Sequence, residues 1–400
     1  MLRRRQILQA AVVLLALETV VYLGYEFWRL VLDRGYMGAI DFVERLRETH
    51  AWFAGLAVYG RLIAAFYPPA TYAILWPFTG WLGADPARWL WAVATVVELA
   101  WLALLMLRGS GAQGRLERAL VVLMLLAIYP TGQTIGNGQF FTLVLPLVVS
   151  ALLLSRRAEG RWYTDLLIAL LLLVALVKPT GVLPFLLIPC FVPGRKRPLV
   201  VVAVAYVGVT VLAASFQKPS VFTLVHQWVK LSGNLGAYHG WRFYANVHAW
   251  LGSLGLKSLI FPVSIVILVA FALWIWRHRH VDLWLLIGVA ALVARFWTYH
   301  QSYDDMLIVL PMVALFRIAK TAGPARDRDI AAGVLLAVTF AVMAVPGGLF
   351  LFPRPLRTPF TTLETLIWFC GLVFLIREAR VARLVQAREP AALAVSSAPA

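Results

Sequence analysis

Apolar runs close to twenty residues long recur along this chain almost without pause, and they leave it very few structures to form. A run of that length covers a bilayer core of about 30 Å. In hydrocarbon every backbone N–H and C=O must find its partner inside the protein, which restricts spanning segments to helices or closed barrels. The runs are far longer than the roughly ten residues of a barrel strand and lack its alternation. Of the 400 residues 62% are hydrophobic and only 14% charged, where a soluble protein carries about 25% charged residues. The sequence therefore reads as an all-α polytopic membrane protein.

The formal net charge is +17. On a soluble chain that would suggest nucleic acid, but on a membrane chain Lys and Arg collect in cytoplasmic loops, and no nucleic-acid partner is expected. Starting from Arg3, Arg4 and Arg5 inside, the charges give spans at about 7–30, 88–107, 119–135, 139–155, 163–177, 181–193, 198–215, 258–276, 282–298, 302–318, 329–350 and 361–376. Both termini are then cytoplasmic. The first run is read as an uncleaved span and not a signal peptide. The segment 67–83 is read as an interfacial helix, with Tyr67, Tyr72, Trp76 and Trp81 at headgroup level. If it crossed, every later basic loop would change sides. Residues 33–66 and 216–257 become external loops. Residues 1–388 form one membrane domain, and 389–400 a disordered cytoplasmic tail. Glu18, in mid-span, is expected to face other helices. Cys190 and Cys370 lie in apolar runs and read as small hydrophobes.

This topology gathers the unusual polar residues at the external face, and such a cluster marks a site or pathway. Asp41, in GAIDF, is either a general base for a hydroxyl nucleophile or a helix-capping acid. Lys178 precedes Pro179 and is either a phosphate contact or a snorkelling lysine. His300 lies between two spans, with Arg295 one turn earlier; either group can contact a phosphate or orient the site, and either can be an interfacial side chain. Asp304 and Asp305 resemble a metal-binding pair, or complement a helix dipole. Tyr67, Asn137, Gln139, Trp241, Arg242, Asn246 and Tyr303 complete the substrate-site candidates. Aromatics beside amides and bases suit a carbohydrate, and equally a membrane surface.

At these positions the chain resembles glycosyltransferase family 87, the polyprenol-phosphate-mannose-dependent mannosyltransferases with the GT-C fold. The pieces occur in order: Asp41-Phe42, FYPPATYAILWPF (66–78), NGQFFTLVLPLVVSALL (137–153), VKPTGVLPFLLIP (177–189) and WTYHQSYDDMLIVLP (297–311). The resemblance implies a GT-C fold of about twelve transmembrane helices with juxtamembrane helices in the first external loop. It implies inverting transfer of a sugar, mannose first, from a polyprenyl-phosphate donor to a lipid or glycan acceptor at the periplasmic face of a bacterial inner membrane. Asp41 would be the base, and Lys178 and His300 the donor-phosphate or orienting contacts, with no cofactor and no divalent metal. Two positions depart from the family pattern. Gln301 follows His300 where many relatives have a second histidine, and Asn246-Val247-His248 stands where Asn-x-Ser is usual. The competing class is a transporter or lipid flippase, which predicts polar residues along a path through the membrane and an internal repeat. The sequence has neither.

Overall fold

The computed structural model describes residues 2–60, 65–157, 161–194, 196–238, 246–321 and 326–396. Those residues are helical almost throughout. In chain order the helices are α1 (Leu2–Val31), α2 (Ile40–Phe53), α3 (Pro69–Thr79), α4 (Ala84–Ser110), α5 (Arg115–Leu126) and α6 (Tyr129–Asn137). There follow α7 (Phe141–Arg157), α8 (Trp162–Ala175), α9 (Pro179–Phe191), α10 (Arg197–Ala214), α11 (Val221–Tyr238) and α12 (Val247–Ser253). The last six are α13 (Ile260–Arg277), α14 (Leu283–Phe296), α15 (Val309–Lys320), α16 (Arg326–Met343), α17 (Gly348–Leu351) and α18 (Arg354–Ser396). A tight 3-10 helix at Ser302–Ile308 leads into α15.

Five stretches are long and apolar enough to cross a membrane: Gln9–Val31, Ala84–Ser110, Arg197–Ala214, Lys257–Arg277 and Arg354–Val385. The count becomes six if the bent pair α6–α7 is one span. Helices occupy the other expected crossings, but α8, α9 and α14 have only 13 or 14 residues. At 1.5 Å per residue each is about 20 Å long. The chain is a polytopic helical membrane protein whose helix lengths alone do not make twelve crossings.

Proline and glycine set where the helices break. The expected single span 119–135 is divided. Pro130 has no N–H to donate into a continuing α5, so it sits in the first turn of a new helix, where a missing N–H costs nothing. Gly138 then ends α6 in the left-handed region, at φ 69°, and the chain turns through 113° into α7. α8 and α9 are divided by the same rule. A proline disfavours helical backbone in the residue before it, and Lys178 (φ −128°, ψ 76°) falls at the break where Pro179 opens α9.

Two expectations need correction. Glu18 is exposed; the buried stripe of α1 is Thr19, Glu26 and Leu30, a helical spacing that excludes position 18. Tyr67 and Tyr72 are buried inside the protein and not presented to a membrane surface, whereas Trp76 and Trp81 are exposed. α3 itself has 11 residues, too short to cross. α18 extends to Ser396, and the AALAV near its end consists of residues that suit a helix.

The turn before α2 is built around Arg88 of α4, which donates to Asp33 O at 2.5 Å and to Gly38 O at 2.9 Å. Ala39 follows with φ 50°, a left-handed conformation that costs an alanine about 1–2 kcal/mol. It is held there by its N–H to Gly136 O at 3.1 Å. So α2 starts against the α6–α7 turn, which puts Asp41 beside Gln139. A Cβ on Gly138 would lie 2.4 Å from Phe42 Cβ, and Phe42 is buried against Trp91. Gly138→Ala is therefore expected to cost roughly 2–4 kcal/mol, read as a lower melting temperature in detergent. An unchanged melting temperature would show that the turn relaxes freely.

Candidate active site

The breaks at Gly138 and Pro179 deliver Gln139 and Lys178 to one place. Lys178 donates to Asp304 Oδ1 at 2.5 Å and to Gln139 Oε1 at 3.3 Å. Its ammonium lies 4.5 Å from the centre of the Phe141 ring and 5.1 Å from that of Tyr303. Asp304 accepts on its other oxygen from His300 Nδ1 and from Gln301 N–H, both at 3.0 Å. Lys178, Asp304, His300 and Gln139 are all buried. An ammonium has three protons, and these contacts use two.

Asp41 is half-buried in the first turn of α2. Desolvation pushes its carboxyl pKa up, and the Gln139 amide, Arg45 and Lys178 pull it partly back. Gln139 thus stands between the Asp41 carboxylate and the Lys178 ammonium. Arg45, one turn after Asp41, pairs with Glu48 at 2.8 Å and lies 4.7 Å above the centre of the Tyr67 ring. Glu48 also accepts the Tyr72 hydroxyl at 3.1 Å. Trp52 stacks on Tyr72 and donates to Ala213 O at 2.7 Å, which ties α2 to α10.

Burial pushes the His300 pKa down, so the ring is neutral. Asp304 is an acceptor, so the proton sits on Nδ1, and Nε2 carries a lone pair that meets no partner. Asn246 caps α12 by accepting from Ala249 N–H at 2.9 Å and donates to His300 O at 3.2 Å, which locks α12 onto the same turn.

A cavity of about 380 Å³ opens from this cluster. Lys178, Tyr67, Tyr303 and Asp304 line its polar end, and Leu183 of α9 with Ile265 of α13 are among its apolar walls. The site offers a fixed cation, an adjacent carboxylate with raised basicity, and an apolar slot leading away from both.

Other sequence candidates lie elsewhere. Arg295 pairs with Asp305, which also accepts the Tyr129 hydroxyl at 2.7 Å, and its guanidinium lies over Trp368. Asp304 and Asp305 thus face different partners. Asn137 accepts from Arg29 at 3.1 Å, and Arg29 is paired with Glu26 at 2.7 Å. Trp241 and Arg242 lie outside the described residues. Sequence reasoning missed Arg45 and Glu48 as a buried pair, Asp305 as the partner of Arg295, and the buried Glu364. The one available signal was the i, i+3 spacing of Arg45 and Glu48 beside the aromatic YPPATY.

Removing Lys178 would leave Asp304 buried with neutral donors only. Breaking a buried pair from one side costs roughly 3–5 kcal/mol, so Lys178→Met is expected to destabilise the fold strongly. Pairing it with Asp304→Asn is expected to restore most of the loss in thermal unfolding. No recovery in the double variant would show that the two charges are not coupled.

No curated protein sequence matches the chain significantly. The profile of glycosyltransferase family 87 matches residues 65–302, more than half of the chain. The match takes in Tyr67, Gln139, Lys178, Asn246 and His300; Asp41 and Asp304 lie just outside it. The match covers most of the helical membrane architecture, and the chain belongs to glycosyltransferase family 87.

Proposed function

We propose that this glycosyltransferase moves a sugar, mannose first, from a polyprenyl-phosphate donor to a hydroxyl of a lipid or glycan acceptor, with inversion. The observation that carries the reading is Lys178, a buried ammonium with a proton to spare at the polar end of an apolar cavity. A lipid phosphate has the matching form, an anion on a hydrocarbon chain. In this scheme the phosphate meets Lys178 and the first isoprene units lie along Leu183 and Ile265. Asp41 takes the proton from the acceptor hydroxyl. The hydroxyl oxygen bonds to the anomeric carbon as that carbon's bond to the phosphate oxygen breaks, and the electron pair leaves on the lipid phosphate. Attack opposite the leaving group inverts the centre. The raised pKa of Asp41 makes it a better base than a solvated carboxylate. The positive charge comes from Lys178, so the scheme invokes no metal. Positive-inside counting supports cytoplasmic termini and a site on the periplasmic side of a bacterial inner membrane.

The test is transfer of labelled mannose from polyprenyl-phosphate-mannose to a membrane lipid extract by the purified protein. Asp41→Asn is expected to lower transfer by at least about 100-fold without a change in melting temperature; equal transfer by both proteins would take Asp41 out of the chemistry. The pH profile gives a second check. A base must be unprotonated, and a raised pKa keeps the proton on to higher pH. The wild-type rate is therefore expected to climb with pH through a midpoint above about 4, the ordinary carboxylate value. A midpoint at or below that value would contradict the assignment.

A further inference from the structure

His248, one of the two positions that depart from the family pattern, lines the cavity and is 7% exposed. Its protonation follows from its neighbours. Ser264 Oγ donates to Trp297 O at 3.1 Å, which uses the only hydroxyl proton. The 2.8 Å contact between Ser264 Oγ and His248 Nε2 must then run from the ring N–H to the serine oxygen. Burial and the nearby His300 lower the His248 pKa to about 4, so the ring carries one proton, on Nε2. Nδ1 is left as a bare acceptor, buried and without a partner. A buried acceptor left unmade is costly, and native proteins seldom keep one without a ligand or a water.

The chemistry of that nitrogen narrows what it binds. It has a lone pair and no proton, so it repels phosphate oxygens, and a polyprenyl chain offers it nothing. Of the groups on a lipid-phosphate sugar, only the sugar hydroxyls donate. We propose that His248 Nδ1 accepts a hydrogen bond from one hydroxyl of the transferred sugar and so selects the donor by its hydroxyl pattern. Ser264 and the Trp297 carbonyl set the tautomer that makes this possible. The inference rests on the reading above that the cavity takes a lipid-linked sugar.

The experiment measures binding, so it does not depend on knowing the acceptor. The full chain in nanodiscs is titrated with polyprenyl-phosphate-mannose, with the same lipid phosphate lacking the sugar, and with analogues lacking one ring hydroxyl each. For wild type, one deoxy analogue is expected to bind about 10- to 100-fold more weakly than the parent, the range for a buried hydrogen bond lost. His248→Phe keeps the ring volume and removes both nitrogens. It is expected to bind the parent as weakly as wild type binds that analogue, and to bind the analogue and the bare lipid phosphate as wild type does. Equal weakening for every lipid would make His248 structural and overturn the proposal. No weakening for any lipid would mean that a water alone satisfies Nδ1, and would overturn it too. Wild type that binds none of the lipids, sugar-free phosphate included, would overturn the lipid-donor reading itself, a distinct outcome. His248→Leu, which also lacks an acceptor, carries the same comparison if the phenylalanine variant does not fold.

Discussion

The ion pair between Lys178 and Asp304 is the interaction on which the site depends. Two opposite charges taken out of water lose far more hydration than they recover from each other unless their remaining protons and lone pairs are also met. Here Gln139, His300 and the Gln301 N–H meet all but one ammonium proton, and two aromatic faces flank the ammonium. Those partners come from two stretches of the chain, 139–141 and 300–303, each at a break between helices. Gly138 accommodates a left-handed turn at one break, and at another Pro179 disfavours a helical Lys178. The charge pair and the broken helices therefore require each other: unbroken helices would carry these side chains at depth on separate faces, and breaks without the pair would bury unsatisfied groups.

The cluster also divides the surrounding space. On one side stands Asp41, held by a turn that Arg88 ties down and by a strained Ala39. On the other lies the apolar cavity, floored by the 302–308 turn and walled by α9 and α13. A ligand that fills both must carry charge or polar groups at one end and hydrocarbon at the other. This division gives the membrane setting a chemical meaning, because a soluble nucleotide sugar would leave the apolar slot empty.

Much of this was legible from residue types alone. Apolar run length gave the helices and the membrane; glycine and proline gave the α6–α7 and α8–α9 breaks. Lys178, His300, Gln139, Tyr67, Tyr303 and Asp304 were chosen as polar residues at span ends, and the structure brings them into one cluster with Asp41. What stayed hidden depends on contacts between distant segments. Tyr67 and Tyr72 looked like membrane-surface aromatics because nothing local says that Arg45 and Glu48 wait behind them. Arg295 sits at the right end of its helix, yet its partner is Asp305, and Asn137 serves Arg29, more than 100 residues earlier. Glu18 and Glu26 share one span, but only Glu26 meets a cation, a difference set by which stripe of α1 the other helices cover. Segment breaks such as that at Pro130 also show why counting apolar residues overstates the number of clean crossings.

The adjacent carboxylates at 304 and 305 have a mechanical consequence. In a 3-10 helix successive residues point about 120° apart, so this one turn is pulled by Lys178 on one side and by Arg295 and Tyr129 on the other. A turn clamped from two directions has little freedom to pivot, and it forms the cavity floor. The facing wall presents the apolar side chain of Ile265 of α13 and the Trp228 ring of α11, the latter held by its N–H to Phe66 O at 2.9 Å. The charged floor of the cavity is thus fixed from two sides, and any ligand that fills the space meets its polar groups in one set registration.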